Sequence, residues 1–172
     1  MSIQIAAPQD VNELVAILDK AYRGDESRKG WTYEADLIEG EHRTDASAVT
    51  EIMNRPGAVF LKFTDENGTL LGCVNLQKHD YGLHLGMFAV DPQIQAKGIG
   101  KQLLAAADEY AKQISAPKIK MDVISVRAEL IAWYERHGYN RTGESRPFIN
   151  ESKFGVATQP LEFVALEKQI KT

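Results

Sequence analysis

The sequence predicts an α/β chain of the α+β type, a mixed and mainly antiparallel sheet flanked by helices, and three observations carry that prediction. Apolar residues recur at helical spacing over 10–22 and again over 99–115. Between those stretches lie consecutive β-rich runs, the first pair joined by Asp65-Glu66-Asn67-Gly68, and Asn-Gly between apolar runs signals a hairpin. After the second amphipathic stretch, strand and helix alternate once more before the chain closes in strands.

The elements follow in order. Ser2 to Ala6 reads as a short strand stopped by Pro8. Val11, Leu14, Val15, Leu18 and Tyr22 share one helix face, with Asp10 placed as its N-cap and Arg23-Gly24 at its end. The polar stretch 23–44 holds Trp31, Tyr33, Leu37 and Ile38, and reads as a loop followed by a short helix, Thr32 to Glu39. A second short helix is expected from Asp45 to Asn54, stopping before Pro56-Gly57. Strands are expected over Ala58–Phe63, Thr69–Gln77 and Leu83–Val90, the last ended by Asp91-Pro92, because proline cannot continue a central strand. Ile99 to Ser115 is read as a helix closed by Pro117, Ile119 to Ile124 as a strand, and Glu129 to His137 as a helix with Gly138 at its C-terminal cap. A short strand at Tyr139–Thr142, a Pro- and Gly-containing loop at Ser145–Gln159 and a last strand at Leu161–Leu166 complete the chain.

Composition narrows the function classes. At 172 residues, 44% hydrophobic and 26% charged, the sequence suits one domain, 1–172, with a sizeable core and no internal repeat. A net charge of −4 argues against a general nucleic-acid binder, whose phosphate contacts favour a basic surface. Cys73 stands alone in the apolar run Leu70-Leu71-Gly72-Cys73-Val74, so it reads as a small buried hydrophobe, and no multi-cysteine zinc site is expected. The start, MSIQIAAPQD, has neither a basic leader nor an apolar signal core, and no segment approaches the roughly 20 apolar residues of a membrane span. The expectation is a cytoplasmic protein with no membrane partner and no metal.

The most informative segment runs from Val90 to Leu104 and orders strand, turn, glycine-containing loop and helix. Free N–H groups and the dipole at a helix start make a site for an anion. Gly98 and Gly100 carry no Cβ to hold phosphate oxygens away, and Lys97 and Lys101 add positive charge. A P-loop would need glycine at Gln95 and serine or threonine at Gln102, and a dinucleotide fingerprint would need glycine at Leu103. Taken alone, the glycines also suit a capped helix start with no ligand.

Gln95-Ala96-Lys97-Gly98-Ile99-Gly100, preceded by Val90-Asp91-Pro92, resembles the Arg/Gln-x-x-Gly-x-Gly/Ala element of the GNAT superfamily of N-acetyltransferases. The resemblance implies that backbone amides of this turn bind the diphosphate of acetyl-CoA, the acyl donor. It also implies that the main chain of Phe88, Ala89 and Val90 pairs with the pantetheine arm as an added strand would. Met121 to Tyr139 is similar to the family's second half-site, and Tyr134 falls on its tyrosine, four residues before Gly138. Free thiol and phenol have comparable pKa values, roughly 8.5 and 10, so a tyrosine beside the sulfur can protonate the leaving coenzyme A. Read without the turn, Tyr134 is an aromatic core anchor beside Leu130.

Arg127 stands where many members carry asparagine; it can pair with a CoA phosphate or lie on the solvated surface. His84, on the strand leading to Val90, lies where relatives place a general base, and it also suits a packed or surface histidine. Relatives put acceptor-binding helices in the region of Trp31, Tyr33 and Glu34, whose aromatic and acidic groups suit a cationic amine. The bland alternative there is an amphipathic surface helix. The loop Ser145–Gln159, with Pro147, Phe148 and Phe154, is read as closing over the acceptor. The function implied is transfer of an acetyl group to a primary amine of a small molecule. A CoA-binding regulatory module and a protein N-acetyltransferase are the competing readings. Many members dimerise, and a homodimer is compatible with the sequence, although no pattern marks an interface.

Overall fold

The computed structural model describes residues 2–23, 38–39, 43–148 and 156–171. Its strands are β1 (Ser2–Ile5), β2 (Ile38–Glu39), β3 (Ala58–Thr64), β4 (Leu70–His79), β5 (Gly82–Val90), β6 (Lys118–Ile124), β7 (Asn140–Pro147), β8 (Val156–Ala157) and β9 (Glu162–Gln169). The helices are α1 (Val11–Tyr22), α2 (Ala46–Met53), α3 (Ile99–Gln113) and α4 (Ala128–Arg136). Seven strands form one sheet in the order β1-β3-β4-β5-β6-β9-β7, and β2 pairs with β8 apart from it. Neighbours in the large sheet run antiparallel except β5 and β6, which are parallel and are joined through α3, the crossover a parallel pair requires. The mixed, mainly antiparallel sheet expected from sequence is thus observed.

Strand alternation sorts the core onto two faces. On one face, Leu61 and Phe63 of β3 and Val74 and Leu76 of β4 join Leu103, Leu104 and Ala107 of α3 and Leu130, Ile131 and Tyr134 of α4. On the other, Phe60 and Cys73 pack against Leu14, Leu18 and Ala21 of α1 and Val49 of α2. In β5 the parity changes midway: Leu83 and Leu85 face α3, but so do Phe88 and Val90, while Ala89 faces α1. A bulge causes the switch. Cys73 pairs with Ala89 and Asn75 with Gly86, so one extra residue stands in β5, and Met87 takes φ +45°. Without that bulge Phe88 would turn to the α1 face.

The parallel pairing of β5 and β6 has just two rungs, Leu83↔Ile119 and His84↔Lys120. Beyond His84 the strands separate, and the wedge between them is where the site lies. At the closed end, Gly82 (φ +140°) lets β5 approach β6: a Cβ there would fall 2.3 Å from the Lys118 carbonyl oxygen. Gly82→Ala is therefore expected to cost about 3 kcal/mol or more, from backbone strain plus a clash with main chain. Urea denaturation measures it; an unchanged midpoint would show that this contact is relaxed at little cost.

Several sequence expectations need correction. Asp10 stands at the N-cap position of α1, but its side chain does not cap the helix: its backbone is already in the helical region, and its carboxylate accepts the Ala7 N–H at 2.8 Å and a bond from Lys62 at 3.0 Å. The helix expected over Thr32–Glu39 is wrong at its described end, where Ile38–Glu39 pairs with Val156–Ala157 as a strand; residues 32–37 lie outside the described residues. Ile38 is buried with Ile124 and Leu161 and so serves as an apolar plug. The strand expected to stop at Thr142 continues to Pro147, because Ser145, Arg146 and Pro147 pair with Val164, Phe163 and Glu162 of β9. Those three residues therefore leave the predicted loop, of which 149–155 lies outside the described residues. Helix α3 ends at Gln113 rather than Ser115, which takes φ +58°.

Candidate active site

A cavity of about 410 Å³ opens where β5 and β6 part. Leu85–Phe88 line one wall and Met121–Ile124 the other, with Arg127, Leu130 and Tyr134 of the α4 region between them. Of the site residues singled out from sequence, Tyr134, His84, Phe88, Arg127 and Phe148 meet here. Trp31, Tyr33, Glu34 and Phe154 lie outside the described residues, and the side chains of Gln95 and Ala96 are likewise not described.

Tyr134 has its ring in the core and its edge on the cavity. Its ring meets Phe88 at 6.3 Å, Trp133 at 5.4 Å and Tyr139 at 6.0 Å, edge to face in each case. Tyr134 is therefore a core aromatic, as one sequence reading expected, and it also lines the cavity. Burial, above all, pushes its phenol well above the ordinary tyrosine range; the Tyr22 phenol adds to the effect, and the Arg127 charge opposes it. Tyr134 is thus protonated throughout the neutral range. Arg127 is half-buried at the mouth of α4, so its side chain belongs to the cavity rather than to the outer surface.

The bulge in β5 also sets the main chain. The Phe88 carbonyl accepts the Tyr22 hydroxyl at 2.6 Å, and the Met87 carbonyl lies 3.5 Å from the Cys73 sulfur. Ala89 and Val90 lie opposite Cys73 and Gly72 of β4. The side of β5 that faces β6 up to His84 is turned beyond it toward the cavity. Burial pushes the Cys73 thiol up to about 12, so it is no thiolate at neutral pH. Expected with a disulfide reagent such as DTNB is no reaction in the native state and one thiol per chain after unfolding. Rapid native labelling would mean that this strand opens readily.

The glycine turn stands beside the cavity rather than in its lining. Gly98 is left-handed (φ +74°, ψ +17°), begins α3, and has nothing among the described residues within 4 Å of where a Cβ would stand. Gly100 adds a packing role that its sequence reading did not include. A Cβ there would come within 3.3 Å of the Phe88 ring and 3.5 Å of the Trp133 ring, so its bareness serves packing of α3 against the cavity wall. Lys97 and Lys101 are exposed on either side of Gly98, and Ile99 is buried.

The model of the acetyltransferase (GNAT) family matches residues 12–139, which includes both the glycine turn and the Tyr134 half-site. The chain belongs to the GNAT acetyltransferase family. Over 89 residues it is 34% identical to S-(2-succino)cysteine N-acetyltransferase of Bacillus subtilis (strain 168), covering 46% of this chain and 54% of that protein. The chain thus spans about half the length of the curated relatives it matches. The crystal structure of the ribosomal-protein-S18-alanine N-acetyltransferase from Escherichia coli superposes with a TM-score of 0.74 at 16% identity, covering 99% of this chain and 94% of that one. A protein from Salmonella typhimurium, solved with its cofactor acetyl-CoA, gives 0.71 at 21% identity, covering 100% of this chain and 95% of that one. At such identities these likenesses concern the fold.

The residues present fit the diphosphate of an acyl-CoA. A 15-residue helix begins at a left-handed glycine with open space above it, its first-turn N–H groups have no intrahelical acceptor, and two lysines flank it. A cavity one aromatic ring away has room for the reacting end.

Sequence reasoning missed Asp122, Arg146, Tyr22, Arg23 and Arg43, all of which line the cavity. Asp122 had a readable signal: it is the lone acid in the apolar strand Lys118–Ile124. The others come from separate elements, and only the fold brings them together.

Proposed function

We propose that this GNAT-family chain is an acetyl-CoA-dependent N-acetyltransferase acting on a primary amine of a small molecule. The observation that supports it most is a protonated, buried Tyr134 phenol on the wall of a cavity formed between parted strands and next to the glycine turn. Bound acetyl-CoA would supply an activated thioester. The main chain from Gln95 and Ala96 through Lys97, Gly98, Ile99, Gly100 and Lys101 would hold its diphosphate, and the β5 edge at Phe88, Ala89 and Val90 would hold its arm. Arg127 would set a positive charge near the phenol. Tyr134 would hold a proton toward the departing sulfur, and His84 would accept one from the attacking amine. Trp31, Tyr33 and Glu34 are assigned to the acceptor on sequence grounds.

The described lining carries four arginines, Arg23, Arg43, Arg127 and Arg146, and one aspartate, Asp122. A guanidinium has five donors in a fixed fork, so one already partnered in the protein can still take a carboxylate. Amines that also bear an acid group are therefore first in the test, and S-(2-succino)cysteine, named for the Bacillus relative, is among them. The experiment measures thiol release from acetyl-CoA against amino acids, polyamines, aminoglycosides and short peptides. Acceptor-dependent release with small amines is expected. Saturable CoA binding with no release across the whole panel would overturn the enzyme reading in favour of a binding module, and release with peptides alone would overturn the small-molecule acceptor.

A further inference from the structure

The geometry points to Asp122 as the positioning residue that fixes the His84 imidazole for proton acceptance, a role that rests on the acetyltransferase reading. His84 is the last rung of the parallel ladder, paired with Lys120, and Asp122 is two residues further along β6. Residues two apart on a strand share a face. The wedge between the strands therefore starts with this pair.

His84 Nε2 lies 3.3 Å from Asp122 Oδ2. An ionised carboxylate only accepts, so Nε2 carries a hydrogen, and in the neutral ring Nδ1 then keeps its lone pair. The carboxyl of Asp122 is held below the ordinary aspartate range, first by the His84 hydrogen bond, against burial, with help from Arg146. Arg146 of β7 approaches the same Oδ2 at 3.4 Å while lying over the Phe163 ring at 4.4 Å, so the carboxylate is clamped from a second strand.

The free edge of the imidazole has a clear neighbour. A Cβ on Gly86 would stand 3.7 Å from His84 Cε1 and 3.8 Å from Nδ1, and Gly86 lines the cavity. Any larger side chain at 86 would grow outward from beside that edge, on the same face of β5. The bare position leaves Nδ1 within reach of a group in the cavity, while Asp122 occupies the opposite nitrogen. Asp122 would act through His84, in the way a carboxylate sets the tautomer of a catalytic histidine.

The test uses the full chain. Long-range 15N–1H spectra of the wild type report the His84 tautomer, and the Nε2–H form is expected; an Nδ1–H form overturns the inference whatever the activity. In steady-state kinetics with an acceptor found by the thiol-release screen, His84→Gln is expected to lower kcat about 10²-fold or more. Asp122→Asn is expected to lower kcat at least about 10-fold, with the KM for acetyl-CoA held within about twofold. The double variant is expected to be no slower than His84→Gln alone, since a residue acting through the imidazole has nothing left to act on. Multiplying losses, or an unchanged kcat in Asp122→Asn, would assign Asp122 a structural role only. If the screen finds no acceptor, the acetyltransferase reading fails, while the wild-type spectra still decide the tautomer.

Discussion

Tyr134→Phe is expected to reduce kcat by about 10²–10⁴-fold, the usual range for loss of a general acid, with the KM for acetyl-CoA little changed. The substitution removes one oxygen and leaves the ring. That ring meets Phe88, Trp133 and Tyr139, so the aromatic cluster and the stability it brings are retained. A fall in kcat at constant thermal stability then isolates the hydroxyl. An unchanged kcat would return Tyr134 to the core and leave the leaving thiol to another donor.

The environment of this phenol also sets a pH signature. In free groups, thiol and phenol are separated by roughly 1.5 units, close enough for easy proton exchange. Burial moves Tyr134 upward, away from that match. The sign follows directly: a group needed in its protonated form, with its pKa raised, remains competent as pH rises and fails only above the raised value. Titration of Tyr134 is thus expected to produce no alkaline fall in kcat below about pH 10, the value for an ordinary phenol. A fall between pH 8 and 9 that disappears in Tyr134→Phe would show the phenol to be far less shielded than its surroundings indicate.

The sheet was legible in sequence because its signals are local. Asn67-Gly68 between apolar runs marks the β3–β4 hairpin, and Asp91-Pro92 marks the end of β5. Of the candidate site, the placement of Gly98 at the start of α3 and of Tyr134 on α4 was legible, because the order of residues along the chain sets both. What escaped was set by contacts between distant segments. Asp10 looks like a cap from its position, but Lys62, 52 residues away, and Ala7 take its carboxylate. The missing Cβ of Gly100 reads in sequence as room for phosphate, while in the fold it is the Phe88 and Trp133 rings that a Cβ there would meet. The parity switch in β5 leaves no pattern in composition, since Met87 is an unremarkable residue forced to positive φ by the strands around it. Ile38 reads as helical in its own neighbourhood and becomes a strand only because 156–157 lies alongside.

Gly98→Leu is expected to raise the dissociation constant for CoA by 100-fold or more, the order of effect seen when a multidentate anion site loses about 3 kcal/mol of hydrogen bonding. Two consequences of the substitution have to be separated. Any L-residue at φ +74° carries backbone strain of about 1–2 kcal/mol. A side chain would also enter the open space above the first turn of α3, where the diphosphate is proposed to sit. Gly68 supplies the control: it has φ +80°, likewise nothing among the described residues within 4 Å of a Cβ, and it lies in the β3–β4 hairpin, far along the chain from α3. Gly68→Leu and Gly98→Leu should lose similar stability in urea, yet only Gly98→Leu should lose CoA in isothermal titration. Equal affinity in the two variants would mean that strain alone governs this turn and that the helix start holds no phosphate. A selective loss at Gly98 would place the diphosphate on the main chain of that turn, one ring from the Tyr134 phenol.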